Sequence, residues 1–209
     1  MRKRRWIKIP VFAVCLAPLG WLLWRAWSQN LTTDPLQYIT HFTGDWTIRF
    51  LVATLAVTPL RKLLHLPDLI RFRRMIGLFA FFYGCLHFLT YLWFDKLFDS
   101  HEILKDIGKR PYITVGFSAL ALMVPLALTS TRGWIRRLGG KRWQWLHRLV
   151  YCSAIGAVVH YYWLVKSDVR LPLLYAALVA VLLAYRAAAA LVGRSRAPAP
   201  PRRVTEPAL

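Results

Sequence analysis

Long apolar stretches alternate with short polar connections along the whole chain of 209 residues. A helix needs about 17 to 25 mostly apolar residues to cross the hydrocarbon core of a bilayer, which is roughly 30 Å thick. Six stretches of the sequence fall within that length. The pattern therefore predicts an all-α protein, an integral membrane bundle of six transmembrane helices. The predicted spans are residues 9–27, 48–64, 75–94, 112–131, 145–165 and 172–192.

Basic residues are concentrated in every second connection. The N-terminus (1–8), the connections between spans 2 and 3 and between spans 4 and 5, and the tail (193–209) carry mainly Lys and Arg. The other three connections are close to neutral. Because cytoplasmic connections carry the excess of Lys and Arg, the alternation predicts that both termini are cytoplasmic, which requires an even number of spans. The Pro-rich tail is expected to be disordered.

The composition fits the same class of protein. Apolar residues make up 57% of the chain, and 29 Lys+Arg against 9 Asp+Glu give a net charge of +20. A nucleic-acid-binding surface would need these charges on a polar, soluble domain, and a disordered basic chain would need low hydrophobicity. A positive-inside membrane protein explains both excesses, with phospholipid head groups as partners of the charge. The three cysteines are scattered without CxxC spacing and predict neither a disulfide framework nor a zinc site.

Histidines within the predicted spans point to chemistry. No carboxylate lies in any of the six cores, which argues against a proton pump or cation carrier. His87 lies in the third span, and His147 and His160 lie in the fifth. At 1.5 Å per residue, His87 and His160 are about 20 Å and about 25 Å from the cytoplasmic side, whereas His147 is only about 6 Å from it. Two imidazoles at similar depth on two helices suit axial ligation of a haem iron.

Small residues one helical turn before each of these two histidines support the haem hypothesis. Gly84 precedes His87 and Gly156 precedes His160, so each imidazole stands above a bay in which a flat macrocycle could approach the backbone. Close packing between helices uses small residues in the same way and remains the alternative.

His147 leaves several interpretations open. On an ideal continuous helix it lies about 140° around from His160, so the two cannot both point at one bundle axis. A second haem bound by His147 would need another axial histidine at a similar depth on the third span. Residues 73–75 at that depth are Arg, Arg and Met, so His65 would have to take this place. Otherwise His147 is an interfacial residue, or it assists a haem propionate or a quinone.

Other polar features are less specific. Arg49 and Arg148 lie near span ends, where arginines either reach the interface or pair with a haem propionate or a flavin phosphate. The polar segment 37–46 is interpreted as a loop at the outer face.

A set of ordered motifs resembles one protein family, the MsrQ (formerly YedZ) haem-binding membrane subunits of bacterial methionine sulfoxide reductase systems. The resemblance covers nearly the whole chain from residue 9 to residue 191. The motifs are Asp34-Pro35, residues 41–44 (HFTG), residues 51–60 (LVATLAVTPL), residues 71–78 (RFRRMIGL), Leu86-His87, residues 110–112 (RPY), residues 128–131 (LTST), residues 140–144 (GKRWQ), Leu146-His147 and His160-Tyr161.

The resemblance implies b-type haem and FMN as cofactors. It implies that His87, His147 and His160 are ligands of haem iron, and it assigns no residue to FMN. Like the family, the chain lacks the histidine that the wider oxidase-like pattern places low on the third span. A second haem held by two histidines is therefore disfavoured.

The resemblance also implies a role in electron transfer across the bacterial inner membrane. Electrons would come from the quinone pool or a cytosolic flavin reductase. They would pass to a periplasmic molybdopterin enzyme that reduces methionine sulfoxide in oxidised periplasmic proteins. The chain would be the electron-transfer subunit and not itself the reductase. Two alternatives remain: a ferric-reductase-like transmembrane cytochrome b, and a transporter or scaffold without haem whose histidines only bridge helices.

Overall fold

The computed structural model describes residues 7–195, with side chains to residue 192, and this part of the chain contains helices and no strand. A 3-10 turn precedes the third α-helix and a π-helical turn follows it. The basic segment 1–6 and the tail from residue 196 lie outside the described residues. The α-helices are α1 (Lys8–Trp27), α2 (Pro35–Leu63), α3 (Ile70–Thr90), α4 (Ser100–Lys109), α5 (Pro111–Leu128), α6 (Arg132–Leu138), α7 (Gly140–Leu146), α8 (Leu149–Leu164) and α9 (Arg170–Ser195).

Four of the described helical stretches are long and apolar enough to cross a membrane. They are α1, the stretch Pro67–Asp95 that contains α3, α5, and Arg170–Val192 of α9. These coincide with the first, third, fourth and sixth predicted spans, and they define a multi-pass membrane protein. Over the other two predicted spans, α2 contains the charged residues Asp45 and Arg49, and α8 has 16 residues. The total of six spans stays a prediction.

Helix α2 begins at Pro35, well before the predicted span at residue 48. The Asp34 side chain accepts a hydrogen bond from the backbone N–H of Gln37 at 3.0 Å, and proline is favourable in the first helical turn. The interpretation of residues 37–46 as a loop is therefore wrong. Their helical conformation places them on the same rigid element as the second predicted span.

The fifth predicted span is divided into two helices. Residues 147 and 148 form a turn between α7 and α8, and the Arg148 N–H bonds to the carbonyl of Trp145, three residues back, at 3.0 Å. The angular relation expected for a continuous helix between His147 and His160 consequently does not apply.

Helices α2, α3, α5 and α8 form the centre of the bundle. The most extensive packing joins α2 to α3 and α5 to α8, whereas α1 packs on α3 and α9 packs on α8 and α2. Many large apolar side chains of α1 and α9 are exposed, which suits outer helices of a membrane bundle. The most deeply buried apolar side chains are those of Leu51, Leu55, Ala80, Tyr83 and Ala154.

A tyrosine hydroxyl joins α1 to α3. The Tyr83 hydroxyl accepts a hydrogen bond from the Leu19 N–H at 3.0 Å and donates one to the Cys15 carbonyl at 3.1 Å. In a regular helix these two backbone groups, four residues apart, would bond to each other. The hydroxyl therefore contacts the backbone ladder of α1 next to Pro18.

An arginine within the last span joins α9 to α2. Pro59 has no N–H, so the carbonyl of Leu55, four residues earlier, lacks its helical donor. Arg186 supplies that donor from α9, with Nη2 at 2.8 Å from the Leu55 oxygen. Arg186 was not among the residues predicted to be functional, although a charged residue within an apolar span indicates a functional or structural role.

Both ends of the described chain lie at one end of the bundle, which we call the terminal end. Helices α1 and α3 run in the same direction, since Phe12 contacts Phe79 and Cys15 contacts Tyr83. Arg186, late in α9, contacts Tyr151 near the start of α8.

At the opposite end, a buried ion pair fixes the connection after α3. Lys96 and Asp106 pair at 2.6 Å with side chains only 12% and 10% exposed. The hydrogen bond from Lys96 lowers the pKa of Asp106. This pair holds the amphipathic helix α4 against the end of α3.

Candidate functional site

Two of the three histidines singled out from the sequence face each other. His87 on α3 and His160 on α8 have ring centroids 6.0 Å apart, with their planes inclined at 75°. The similar depth predicted for them from helical rise is therefore found in the structure.

Backbone carbonyls of neighbouring helices orient both rings. Nδ1 of His87 lies 2.9 Å from the carbonyl oxygen of Thr40 on α2, and Nδ1 of His160 lies 2.7 Å from that of Tyr112 on α5. Because a carbonyl oxygen only accepts, each Nδ1 carries the proton and donates it, and each Nε2 keeps a lone pair. Histidines that ligate metals are held in this way through their other nitrogen.

Two glycines make room for the rings. A Cβ at Gly44 would lie 3.1 Å from Nδ1 and Cε1 of His87, and a Cβ at Gly116 would lie 2.6 Å from Nδ1 of His160. The second distance is shorter than real side chains allow. The two glycines let α2 and α5 approach closely enough for their carbonyls to reach the imidazoles.

The pair lies in a cavity of about 290 Å³ that extends toward the opposite end of the bundle. Its walls are mainly apolar, and its polar lining includes Ser153, whose fully buried hydroxyl has no hydrogen-bond partner within the described part of the chain. Gly84 lines the cavity, as the bay proposed from the sequence requires. Before His160, Gly156 packs closely on Ala119 of α5, whereas Ala157 and Ser153, three and seven residues before the histidine, line the cavity.

The site fits an iron held by a porphyrin better than a bare metal ion. The described residues contain no group of three or more His, Cys, Asp or Glu side chains that could hold a metal. Haem iron needs only two axial ligands from the protein. With metal–nitrogen bonds of about 2 Å, two imidazoles on opposite sides of one metal have centroids about 6 Å apart. The observed separation of the rings agrees with this.

His147 lies apart from the pair. Its ring stacks on Trp143 with centroids 3.9 Å apart, and its Nε2 lies 3.1 Å from the Thr129 hydroxyl oxygen. That hydroxyl donates its proton to the Pro125 carbonyl at 2.6 Å, so it accepts from Nε2–H of His147. Nδ1 of His147 is then the nitrogen with a lone pair.

His147 lines a second cavity, of about 470 Å³, at the terminal end. Leu51 and Met123 line both cavities and stand between them. His65, the substitute partner considered from the sequence, is exposed in the turn after α2 and does not line this second cavity. The polar and charged residues that line it include Arg73, Arg74, Gln144, Arg148 and Tyr151.

The two arginines near span ends have different surroundings. Arg49 lies 3.6 Å from Asp45 and its guanidinium lies 4.9 Å from the centroid of the Trp46 ring. Arg148 lines the second cavity.

The groups that orient the two histidines were not predicted from the sequence. Gly44 and Tyr112 fall within motifs noted for the family resemblance, but nothing in their spacing showed that they contact the histidines. The contribution of Thr40 and Tyr112 is a backbone carbonyl, which every residue type possesses. Gly116 carries the clearest signal, since glycine in a helix indicates close approach by another group.

Fold and site together define a helical multi-pass membrane protein with a paired-histidine site between two of its helices. The family model described as "Ferric reductase like transmembrane component" matches residues 43–158. This segment contains His87 and His147 and stops just before His160.

Curated relatives identify the family more closely. A protein from Herminiimonas arsenicoxydans is 55% identical over 182 residues, covering 86% of this chain and 84% of the relative. One from Azospira oryzae is 51% identical over 205 residues (97% and 86%), and one from Polaromonas naphthalenivorans is 48% identical over 191 residues (88% and 87%). Each is named protein-methionine-sulfoxide reductase heme-binding subunit MsrQ. The chain belongs to the MsrQ family. No solved structure matches it.

Proposed function

We propose that this chain is a membrane electron-transfer subunit that binds b-type haem between His87 and His160. The observation that carries the proposal is the geometry of the two imidazoles, which face each other 6.0 Å apart with their Nδ1 protons committed to carbonyls. The names of the relatives, which state that those proteins bind heme, support it.

When bound, haem supplies one-electron chemistry at its iron, and the chain's own residues set the conditions for it. The carbonyls of Thr40 and Tyr112 fix the orientation of the imidazoles and increase the basicity of each Nε2. More basic ligands would stabilise the ferric state of a bound haem iron relative to the ferrous state. The apolar walls of the first cavity limit access of water to the ligand nitrogens. Burial and axial ligands are the means by which a protein tunes a haem potential.

The proposal includes His147 as a third haem ligand, at the second cavity. Its Nδ1 is free of the hydrogen bond to Thr129 and is the nitrogen that remains for a metal. No other histidine is among the described residues that line this cavity, so they provide no second axial histidine there. FMN is the second proposed cofactor. The alternative role for His147 is assistance to a quinone or a haem propionate.

Electrons would enter at the terminal end and leave at the opposite end. The donor proposed is the quinone pool or a cytosolic flavin reductase. The acceptor proposed is a periplasmic molybdopterin-containing methionine sulfoxide reductase, which repairs oxidised periplasmic proteins. This direction requires six spans in the bacterial inner membrane with both termini cytoplasmic. The two cavities follow one another along the bundle axis and offer places for cofactors on such a path.

The test is a reduced-minus-oxidised absorption spectrum of the purified chain with quantification of haem. We expect a b-type spectrum that is lost in His87→Ala and in His160→Ala. His101→Ala, at an exposed position of α4, is the matched control and is expected to keep it. A well-folded, colourless protein after supply of haem would instead support a transporter or scaffold.

A ferric-reductase-like cytochrome b is the second candidate function, because the matching family model carries that description. The two functions differ in the electron acceptor. Reduced protein that transfers electrons to a ferric chelate but not to a periplasmic methionine sulfoxide reductase would favour the second candidate.

A further inference from the structure

The chain turns sharply where α3 ends, and this turn exposes apolar side chains. Trp93 and Phe94 lie in the π-helical turn Tyr91–Asp95, and Leu97 and Phe98 follow it. These four side chains are between 52% and 79% exposed. The Trp93 ring contacts the rings of Phe94 and Phe98, with centroids 6.2 Å and 6.1 Å apart. We call the four residues the apolar turn.

The backbone of the apolar turn has an uncommon conformation. Leu97 and Phe98 have φ angles of 46° and 60°, in the left-handed region that residues other than glycine rarely adopt. The Phe98 N–H bonds to the Leu92 carbonyl at 2.9 Å, which folds the chain back against the end of the helix. Strain of this kind persists only where the surrounding structure fixes it.

The lysine beside the apolar turn faces the protein. Lys96 pairs with Asp106 of α4 at 2.6 Å, and its side chain is only 12% exposed. A lysine at the end of a membrane span ordinarily extends its charged group to water. Here the charge is inside and the neighbouring apolar side chains are outside. Exposure of these side chains is unfavourable in water and favourable in lipid.

The level of the turn along the bundle also favours lipid. The apolar stretch Pro67–Asp95 ends at the residue before Lys96, and the bond to Leu92 returns Phe98 to the level of the last turn of that stretch. The apolar turn thus continues the exposed apolar surface of α3, to which Leu89 belongs. Residues 95–110 hold acids and bases in equal number, so no net charge there calls for an oppositely charged partner.

We propose that the apolar turn is embedded in the lipid leaflet at the opposite end of the bundle. Leu97 and Phe98 contact acyl chains, and Trp93 lies near the head groups, where tryptophan is enriched in membrane proteins. The partner is phospholipid of any head-group charge, because burial of apolar surface and not ion pairing carries the interaction. The ion pair of Lys96 positions the turn. The proposal goes beyond electron transfer and does not depend on bound haem.

Spin labels on the full-length chain in phosphatidylcholine nanodiscs test the proposal. The three native cysteines are first replaced by alanine, and Leu97→Cys and Phe98→Cys are then labelled in separate proteins. Power saturation compares collisions of the label with oxygen, which concentrates in lipid, and with a nickel chelate, which stays in water. We expect the oxygen-to-nickel ratio to be several-fold higher at both sites than at Lys109→Cys, the matched control at an exposed position of α4.

Circular dichroism shows whether each labelled chain is folded, and either of the two sites suffices for the test. A ratio at residue 97 or 98 of the folded protein that is as low as the ratio at residue 109 overturns the proposal. A label that is accessible to water and becomes immobilised when a soluble methionine sulfoxide reductase is added also overturns it. The apolar turn would then be a surface for a protein partner.

Discussion

Gly116 controls the position of the His160 imidazole. A Cβ at residue 116 would lie 2.6 Å from Nδ1 and 2.9 Å from Cε1 and Cγ of that ring. We expect Gly116→Ala to displace the ring from the Tyr112 carbonyl. Because loss of such an orienting partner typically lowers metal affinity by about tenfold to a hundredfold, haem bound per protein should fall sharply in a titration of the apoprotein.

A graded series of glycine substitutions distinguishes this effect from general helix changes. Gly44→Ala should have a smaller effect on haem affinity, since its Cβ would lie 3.1 Å from the His87 ring. Gly20→Ala, in α1, introduces a Cβ with no atom within 4 Å and should leave haem binding unchanged. Equal haem content in all three variants would contradict the proposed role of the glycines.

At the scale of helices, the Tyr83 hydroxyl is a polar connection between α1 and the central bundle. Tyr83→Phe would remove the hydrogen bonds to the Leu19 N–H and the Cys15 carbonyl, and with them this polar connection between α3 and α1. We expect a loss of about 1–3 kcal/mol in the free energy of unfolding. The measurement is unfolding of the purified protein in detergent by heat or denaturant.

Tyr162→Phe is the control for this prediction. Tyr162 lies on α8, is 46% exposed, and should tolerate loss of its hydroxyl. If Tyr83→Phe were as stable as the control variant, the Tyr83 hydroxyl would not be what holds α1 on the bundle.

The boundaries of helices show what apolar length alone can and cannot predict. It located α1, α3, α5 and α9, because lipid requires a continuous apolar surface. It missed the start of α2, where the signal is the Asp34 cap and Pro35 rather than hydropathy. The turn at His147 could not be predicted from apolar length. The His147 ring contacts Trp143 in α7 and Thr129 after α5, two residues that are separated in the sequence by α6.

The same distinction holds within the site. The pairing of His87 with His160 follows from helical rise and was predictable. The carbonyl groups that orient the rings carry no residue signature. Their contribution depends on how α2 and α5 pack, which only the structure shows.

At the scale of the whole molecule, the distribution of charge predicts how the bundle lies in the membrane. The connections at the terminal end are strongly basic, including residues 61–74 and 132–142, whereas residues 95–110 at the opposite end hold acids and bases in equal number. Since an excess of Lys and Arg is retained in the cytoplasm, the terminal end is predicted to be cytoplasmic. The structure places both described chain ends at that end, as an even number of spans requires.

Reporter fusions test this orientation. Green fluorescent protein at the C-terminus should fluoresce and alkaline phosphatase there should be inactive, because the first is active in the cytoplasm and the second only in the periplasm. The same reporters after residue 98, between α3 and α4, should give the reverse result. Replacing Arg132, Arg136 and Arg137 by Gln should weaken the preference, since these residues contribute to the retained charge. Phosphatase activity at the C-terminus would contradict six spans with cytoplasmic termini, and the second cavity could then not receive electrons from a cytoplasmic donor.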